Sequence, residues 1–353
     1  MQARSMLTKQ LSPFFAFFVV TVMQIGVGIF TFQRTIVSIV GHDGWIAIIL
    51  SALMVHVVIW ILYKMLNQYQ TIVDVQKGVF GKGLGTFVSL YWILYYSLFV
   101  LTLLIGYTEI LRTWLFPEVA NGVLFFVLLF LAYLFTMSGL RTIVGISVLA
   151  VLMGLPIFFL SRFPYGQMQF RSLFPVWDHS FLDLWSAIGL MTFQYLGFEI
   201  LLMAYPFIRE APRSHKWAQL GVTFSMITYL IGFILPVLYF HENHLAVITW
   251  PTLSFWRMEY FGMSIWIILL LPNMALGLWA ASRVAKQTLK ISQRHAVWGL
   301  SPLIFGCAFL FTDQWEIEAI SSFTSSLGFF TIFVYLPLLF LIQTMITKRR
   351  RRQ

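Results

Sequence analysis

Two short stretches hold the residues of this chain whose types and spacing could do chemistry. One is Gln24-Ile25-Gly26-Val27-Gly28-Ile29-Phe30, with two glycines inside one helical turn. The other is Met191-Thr192-Phe193-Gln194-Tyr195-Leu196-Gly197-Phe198-Glu199-Ile200, where a glycine lies between Gln194 and Glu199. Neither stretch pairs a nucleophile with a base, gathers metal ligands or forms a phosphate loop. The expected chemistry is therefore recognition, not bond-making, and neither an enzyme nor a cofactor is expected. The lone Cys307 leaves no intrachain disulfide framework and no Cys-rich metal site.

Glycine in a helix interior costs about 1 kcal/mol relative to alanine. Where a helix opens, its backbone donors and acceptors lose their intrahelical partners and become a recognition surface. A segment starting near Gly28 would present amides and the positive end of a helix dipole, which suits a carboxylate. Carbonyls from about Phe193 to Leu196, just before Gly197, would suit an ammonium. The pair of breaks thus fits a zwitterion such as a free α-amino acid, with Gly26, Val27, Gly28, Ile29, Phe193, Gln194, Leu196 and Gly197 as candidate contacts. Phosphate fits less well, because no lysine or arginine falls near mid-span. Close helix packing is the competing explanation for the first glycine pair. Residues two apart point about 200° around a helix, however, so Gly26 and Gly28 cannot share one packing face.

The elements that must position these residues are set by composition. Of the 353 residues 59% are hydrophobic, 18% aromatic and only 10% charged, and the mean hydropathy is +0.84. Such a chain is an all-α polytopic membrane protein, since backbone groups in lipid must be satisfied within each segment and barrel-type alternation is absent. A span needs about 20 apolar residues. Windows of that size fall near 12–38, 44–63, 84–111, 121–138, 142–162, 182–208, 217–240, 260–285, 297–312 and 319–346. The first is too long for a signal peptide and lacks a small-residue cleavage site, so it reads as a retained helix.

With ten spans and a cytoplasmic N-terminus, all but five of the 23 basic residues face the cytoplasm. The exceptions are Arg34, Arg112, Arg162, Arg171 and Arg257. Asp43, Glu109, Asp178, Asp183, Glu242 and Glu318 are among the acidic residues on the other side. That asymmetry obeys the positive-inside rule and places both termini in the cytoplasm. The net charge of +10 is mostly this topology signal. Scattered over short loops, it fits an anionic leaflet and not a nucleic acid, and the tail KRRRR at 348–352 is expected to meet lipid head groups. The whole chain, 1–353, reads as a single transmembrane domain.

Cut in half, the ten windows become five plus five. Gly197 then holds the place in the second half that Gly26 holds in the first. Glycine-interrupted segments at matching positions point to the binding site of an inverted-repeat transporter fold, and an odd number of helices per half forces the repeats to be inverted. The expected architecture is a LeuT-like 5+5 inverted repeat, approximately 10–165 and 180–347, with the first and sixth helices broken.

These residues resemble a family. QIGVGIF is similar to the G-x-G-I-F signature in the first helix of the amino acid, polyamine and organocation permease superfamily, and FQYLGFE to its sixth-helix pattern F-x-x-x-G-F-E. Within it, the chain's length, ten windows and short basic tail resemble the spore germination permease-like proteins, the B subunits of endospore germinant receptors. The resemblance implies an amino acid ligand, residence in the inner membrane of the spore, and two partners. These are a membrane-embedded A subunit and a lipoprotein C subunit.

Other residues complete the expected pocket. Tyr95, Tyr96 and Phe99 lie mid-way along the third window, and Tyr96 is the candidate ligand contact. Pro272 interrupts the eighth window, and the adjacent Asn273 could repair or exploit the gap. Glu199 has two readings. A carboxylate at membrane depth is a functional-site hypothesis, here proton movement, or else a hydrogen-bonded tie to a neighbouring helix. His56 reads as a hydrogen-bonded packing residue. The fifth window lacks the intramembrane lysine of some proton-coupled relatives, and NMALGLWAAS in the eighth has no hydroxyl before Ser282, which argues against a sodium site. Two functions follow: an amino-acid-binding germinant receptor subunit, or a proton-coupled amino acid permease.

Overall fold

The computed structural model of the chain describes residues 10–160, 166, 168–256 and 259–352. Arg4, Lys9, Arg162 and Arg257, used above for topology, lie outside them. The described residues form helices and no strand, with one isolated backbone bridge between Leu11 and Ile208. Among the described residues six helical runs are long and apolar enough to cross a membrane, or seven if the bent pair Phe181–Tyr195 and Phe198–Phe207 counts as one span. The fold is thus that of a multi-pass membrane protein.

Both glycine-containing windows are broken where the sequence places the glycines. Helix α1 (Phe15–Gln24) stops at Gln24, a 3-10 turn covers Val27–Phe30, and α2 (Phe32–Val40) resumes. Ten residues make only about 15 Å of helix, half a hydrocarbon thickness, so α1 cannot cross alone. The chain reverses at Gly41–Asp43 and returns as α3 (Gly44–Leu66). After a short capped helix, α4 (Ile72–Phe80), come α5 (Lys82–Trp114), α6 (Asn121–Ser138) and α7 (Leu140–Leu160).

The second broken helix begins with α8 (Phe181–Tyr195). Its start is fixed by a capping box in which Ser180 and Asp183 satisfy each other's backbone amides. The remaining long helices are α9 (His215–Tyr239), α10 (Glu259–Thr288), α11 (Gln293–Ala308), α12 (Gln314–Phe329) and α13 (Leu336–Arg352). A π-helical turn at Phe330–Tyr335 joins the last two.

The centre of the bundle is α10, whose most apolar window is 83% buried, against 28% for the run formed by α12 and α13. It packs along α5 and α7, while α9 packs along α1 and α3. Many large apolar side chains are exposed on the bundle, Leu94, Phe126 and Leu341 among them, which fits a lipid-facing surface. Leu11 donates to the Phe207 carbonyl and accepts from the Arg209 amide, both at 2.8 Å. Tyr205 reaches Asn67 at 2.5 Å and Thr347 reaches Gln68 at 3.3 Å. Both described chain ends therefore lie on one face of the bundle. His56 bonds to the Gln219 carboxamide and so ties α3 to α9, as a packing histidine should.

On the opposite face, the Gly41–Asp43 turn is clasped by two connections. The Asp43 carboxylate accepts from the amides of Trp177 (2.9 Å) and Asp178 (2.7 Å) and from His179 (3.3 Å). His42 Nε2 lies 2.6 Å from the Pro175 carbonyl and Nδ1 is 3.5 Å from Glu242. Burial opposes the charged form of His42, but the Pro175 carbonyl, Glu242 and Asp43 together raise its pKa above the ordinary imidazole value. Asp43 behaves conversely: burial pushes it up, and the Trp177 and Asp178 amides with His179 bring it below the usual carboxylate value.

A raised histidine pKa stabilises the fold below the ordinary value, and that gain disappears as pH rises through the raised pKa. His42→Asn is therefore expected to lower the melting temperature of the purified protein at about pH 6 more than at about pH 8.5, on either side of the ordinary imidazole range. A difference between wild type and variant that does not shrink with rising pH contradicts the clasp.

Candidate functional site

The two breaks face each other. Tyr195 ends α8, Leu196 is extended, and Gly197 has φ +105°, a left-handed conformation that a side chain resists. Any Cβ at Gly197 would also press on Met23 of α1, 2.8 Å away. Across the break, Gln24 Nε2 donates to the Tyr195 carbonyl at 3.2 Å. Gly28 meets the other side of the same region, where a Cβ would run into the Gln194 carboxamide. Only glycine lets the first break approach the end of α8 this closely.

Side chains from elsewhere replace the helical partners that the opened backbone loses. Tyr229 donates to the Gln24 carbonyl at 2.6 Å and, more loosely, to the Gln194 carbonyl at 3.4 Å. Thr252 donates to the Ile29 carbonyl at 2.6 Å and itself accepts from Gln33 at 2.6 Å. Trp266 reaches the Gly26 carbonyl at 3.4 Å. Each such bond contributes about 1 kcal/mol net and avoids a larger desolvation cost. On the amide side, Gly26, Val27 and Gly28 precede the first i to i+3 bond of their 3-10 turn, so their N–H groups have no helical acceptor.

Above the breaks opens a cavity of about 500 Å³ on the face opposite the chain ends. Val27, Gly28, Phe193 and Gln194 line its floor, and Arg34, Glu109 and Glu318 line it too, from three different helices. Hydroxyls of Thr31, Ser322 and Ser325 add polar wall. The volume falls within the ordinary range for small-molecule sites.

Of the candidate contacts, Val27, Gly28, Phe193 and Gln194 are thus brought together on one cavity. Gly26 lies beside Asn273, whose Nδ2 is 3.4 Å from where a Gly26 Cβ would sit. Asn273 is fully buried, and among the described residues neither polar atom of its carboxamide has a hydrogen-bond partner. Ile29 is buried, with its carbonyl capped by Thr252. Leu196 packs against Gly328 of α12.

Tyr96, Gly197 and Glu199 form a separate brace. Glu199 accepts from the Tyr95 hydroxyl and the Gly197 amide, both at 2.7 Å, and Tyr96 donates to the Glu199 carbonyl at 2.9 Å. Glu199 is 1% exposed, so no solvent can substitute for these partners. Through these bonds Glu199 ties α5 to the second break.

Several residues of the site had no distinctive signal in the sequence. Tyr229 is one of 14 tyrosines, and Thr252 and Trp266 come from the connection and helix start after α9. Arg34 was visible as a charge on the outer part of the first window, but spacing alone did not aim it at the cavity.

The family model described as "Spore germination protein" matches residues 10–317. Spore germination protein GerQB of Bacillus cereus is 34% identical over 97% of this chain and 98% of its own length. Spore germination protein YndE of Bacillus subtilis is 22% identical over 92% of this chain and 93% of its own. Spore germination protein A2 of the same organism is 21% identical over 97% of both. With the family model and a 34%-identical relative both spanning most of its length, this chain belongs to the spore germination permease family of multi-pass membrane proteins.

Proposed function

We propose that this chain is the ligand-binding membrane subunit of a spore germinant receptor and that a small α-amino acid binds between its two helix breaks. The observation that carries the reading is the floor of the large cavity, where Gly28 meets the Gln194 carboxamide and the unpartnered Asn273 amide lies beside Gly26. The amides of Gly26 to Gly28 would receive the ligand carboxylate. The Gln194 carbonyl, which accepts a long contact from Tyr229, would receive the ammonium.

In this reading the helices form ten spans in a 5+5 inverted repeat, 10–165 and 180–347, with both termini in the cytoplasm and the protein in the inner membrane of the spore. Ligand binding shifts the helix pair clamped by the Leu11–Ile208 bridge, and the shift passes to A and C subunits. The protein performs no covalent chemistry. The names of the relatives, all spore germination proteins, support the receptor role.

A thermal-shift screen of the purified protein against the free L-amino acids should show stabilisation by at least one of them, because a ligand that binds only the folded state raises stability by mass action. No shift with any of them would remove the amino acid reading. The second reading, a proton-coupled permease, draws on the buried Glu199 carboxylate beside the break. Concentrative, pH-driven uptake into proteoliposomes by this chain alone would favour it.

A further inference from the structure

Behind the large cavity, a second one of about 270 Å³ opens on the same face, between α5, α6 and the start of α12. It lies just under the usual size of small-molecule sites, about 300 Å³ and up. Thr108, Glu109, Arg112, Thr113 and Asn121 supply its polar lining. Glu109 lines both cavities and so forms part of the wall between them.

Three features of this cavity concern charge and unmet bonding. Glu109 and Arg112 are three apart on α5, so they are neighbours on one helix face. They nevertheless form no ion pair: Arg112 Nη1 donates instead to Asn121 Oδ1 at 2.9 Å. Among the described residues the Glu109 carboxylate has neither a hydrogen bond nor an ion pair. Thr108, 2% exposed and on the same wall, has a buried hydroxyl without a partner among the described residues.

We infer that this side cavity is a second binding site for a free α-amino acid, with Glu109 holding the ammonium, Arg112 the carboxylate and Thr108 a polar edge of the ligand. A cation alone would leave Arg112 unmatched, and an anion alone would meet the uncompensated Glu109. A zwitterion carries both charges on one carbon and answers both. Because Glu109 faces both cavities, an ammonium bound here sits at the threshold of the larger one, and the side cavity acts as a station ahead of the helix breaks. The site stands on its own residues and does not require the inner site.

The test uses Thr113→Cys in a Cys307→Ser background, in lipid nanodiscs. Thr113 is exposed and lines the side cavity. The rate of its modification by a water-soluble methanethiosulfonate reagent is read with and without a millimolar mixture of the L-amino acids. The mixture should slow labelling by about tenfold, which corresponds to about 1.4 kcal/mol, and the same mixture N-acetylated should not. Glu109→Gln and Arg112→Gln should each remove the protection, read in each variant as the ratio of its own labelling rates with and without the mixture. Gly28→Leu, which targets only the inner site, should keep it. The inference is overturned if the free amino acids give no protection, if the N-acetylated mixture protects equally, or if both Glu109→Gln and Arg112→Gln retain it. Loss of protection in Gly28→Leu would likewise overturn the claim of a separate site.

Discussion

Purified Gly28→Leu protein is expected to lose measurable amino acid binding while still eluting as a folded monodisperse species. The reason is local. The space that a Cβ at Gly28 would enter is already held by the Gln194 side chain, and both residues line the floor of the large cavity. Leucine would drive the Gln194 carboxamide aside and fill the position where a ligand carboxylate would meet the amides of the 3-10 turn. Overpacking of this kind costs about 1 to 3 kcal/mol, which a protein buried on all sides of the break can absorb. Losing the amides as a carboxylate site is the larger effect, since hydrogen bonds to charged groups contribute about 1.5 to 3 kcal/mol each. Two of them lost would weaken binding by about a hundredfold or more. A double variant, Gly28→Ala with Gln194→Ala, separates the two causes. It relieves the collision and should restore the wild-type melting temperature, yet it removes the Gln194 side chain and should bind poorly. Unchanged affinity in Gly28→Leu would place the ligand elsewhere.

How far the site could be read in advance depended on what kind of signal each residue leaves. Gly26, Gly28 and Gly197 are legible because glycine in the middle of an apolar run contradicts its surroundings, and the structure breaks both helices there. Glu199 was legible for the same reason, as a carboxylate where lipid-facing sequence permits none. What closes the breaks was not legible. Tyr229, Thr252 and Trp266 cap carbonyls that lie 205, 223 and 240 residues away along the chain, and no local pattern marks a tyrosine or threonine for a distant backbone oxygen. Asn273 shows the middle case. Its proline neighbour singled it out, but its place beside Gly26 follows from how α10 packs in the centre of the bundle. The charged lining of the cavities was hidden differently. Arg34, Glu109 and Arg112 read as topology signals, and the same charges serve a site because the cavity opens on the face that the charge asymmetry left for them.

Glu199→Ala is expected to be among the most destabilising single substitutions in this chain, and Glu199→Gln among the mildest at the same position. With alanine, the Tyr95 hydroxyl and the Gly197 amide are left without the acceptor that now receives both at 2.7 Å. Each buried donor so orphaned costs about 1 to 3 kcal/mol, and the residue is too deeply buried for water to repair the loss. Glutamine keeps the volume and one carbonyl oxygen. That oxygen can accept from the Gly197 amide, and the carboxamide nitrogen can donate to a rotated Tyr95 hydroxyl, so the tie between α5 and the second break survives. Thermal unfolding in detergent should therefore rank wild type and Glu199→Gln close together and Glu199→Ala well below. The same pair of variants divides the two functional readings. A carboxylate that moves protons has no substitute in glutamine, so a permease would lose pH-driven uptake in Glu199→Gln even with stability intact. A receptor that uses Glu199 only to hold the break open should bind its ligand normally in Glu199→Gln and fail in Glu199→Ala, because Gly197 could then relax from its left-handed conformation and close the gap that faces Gly28.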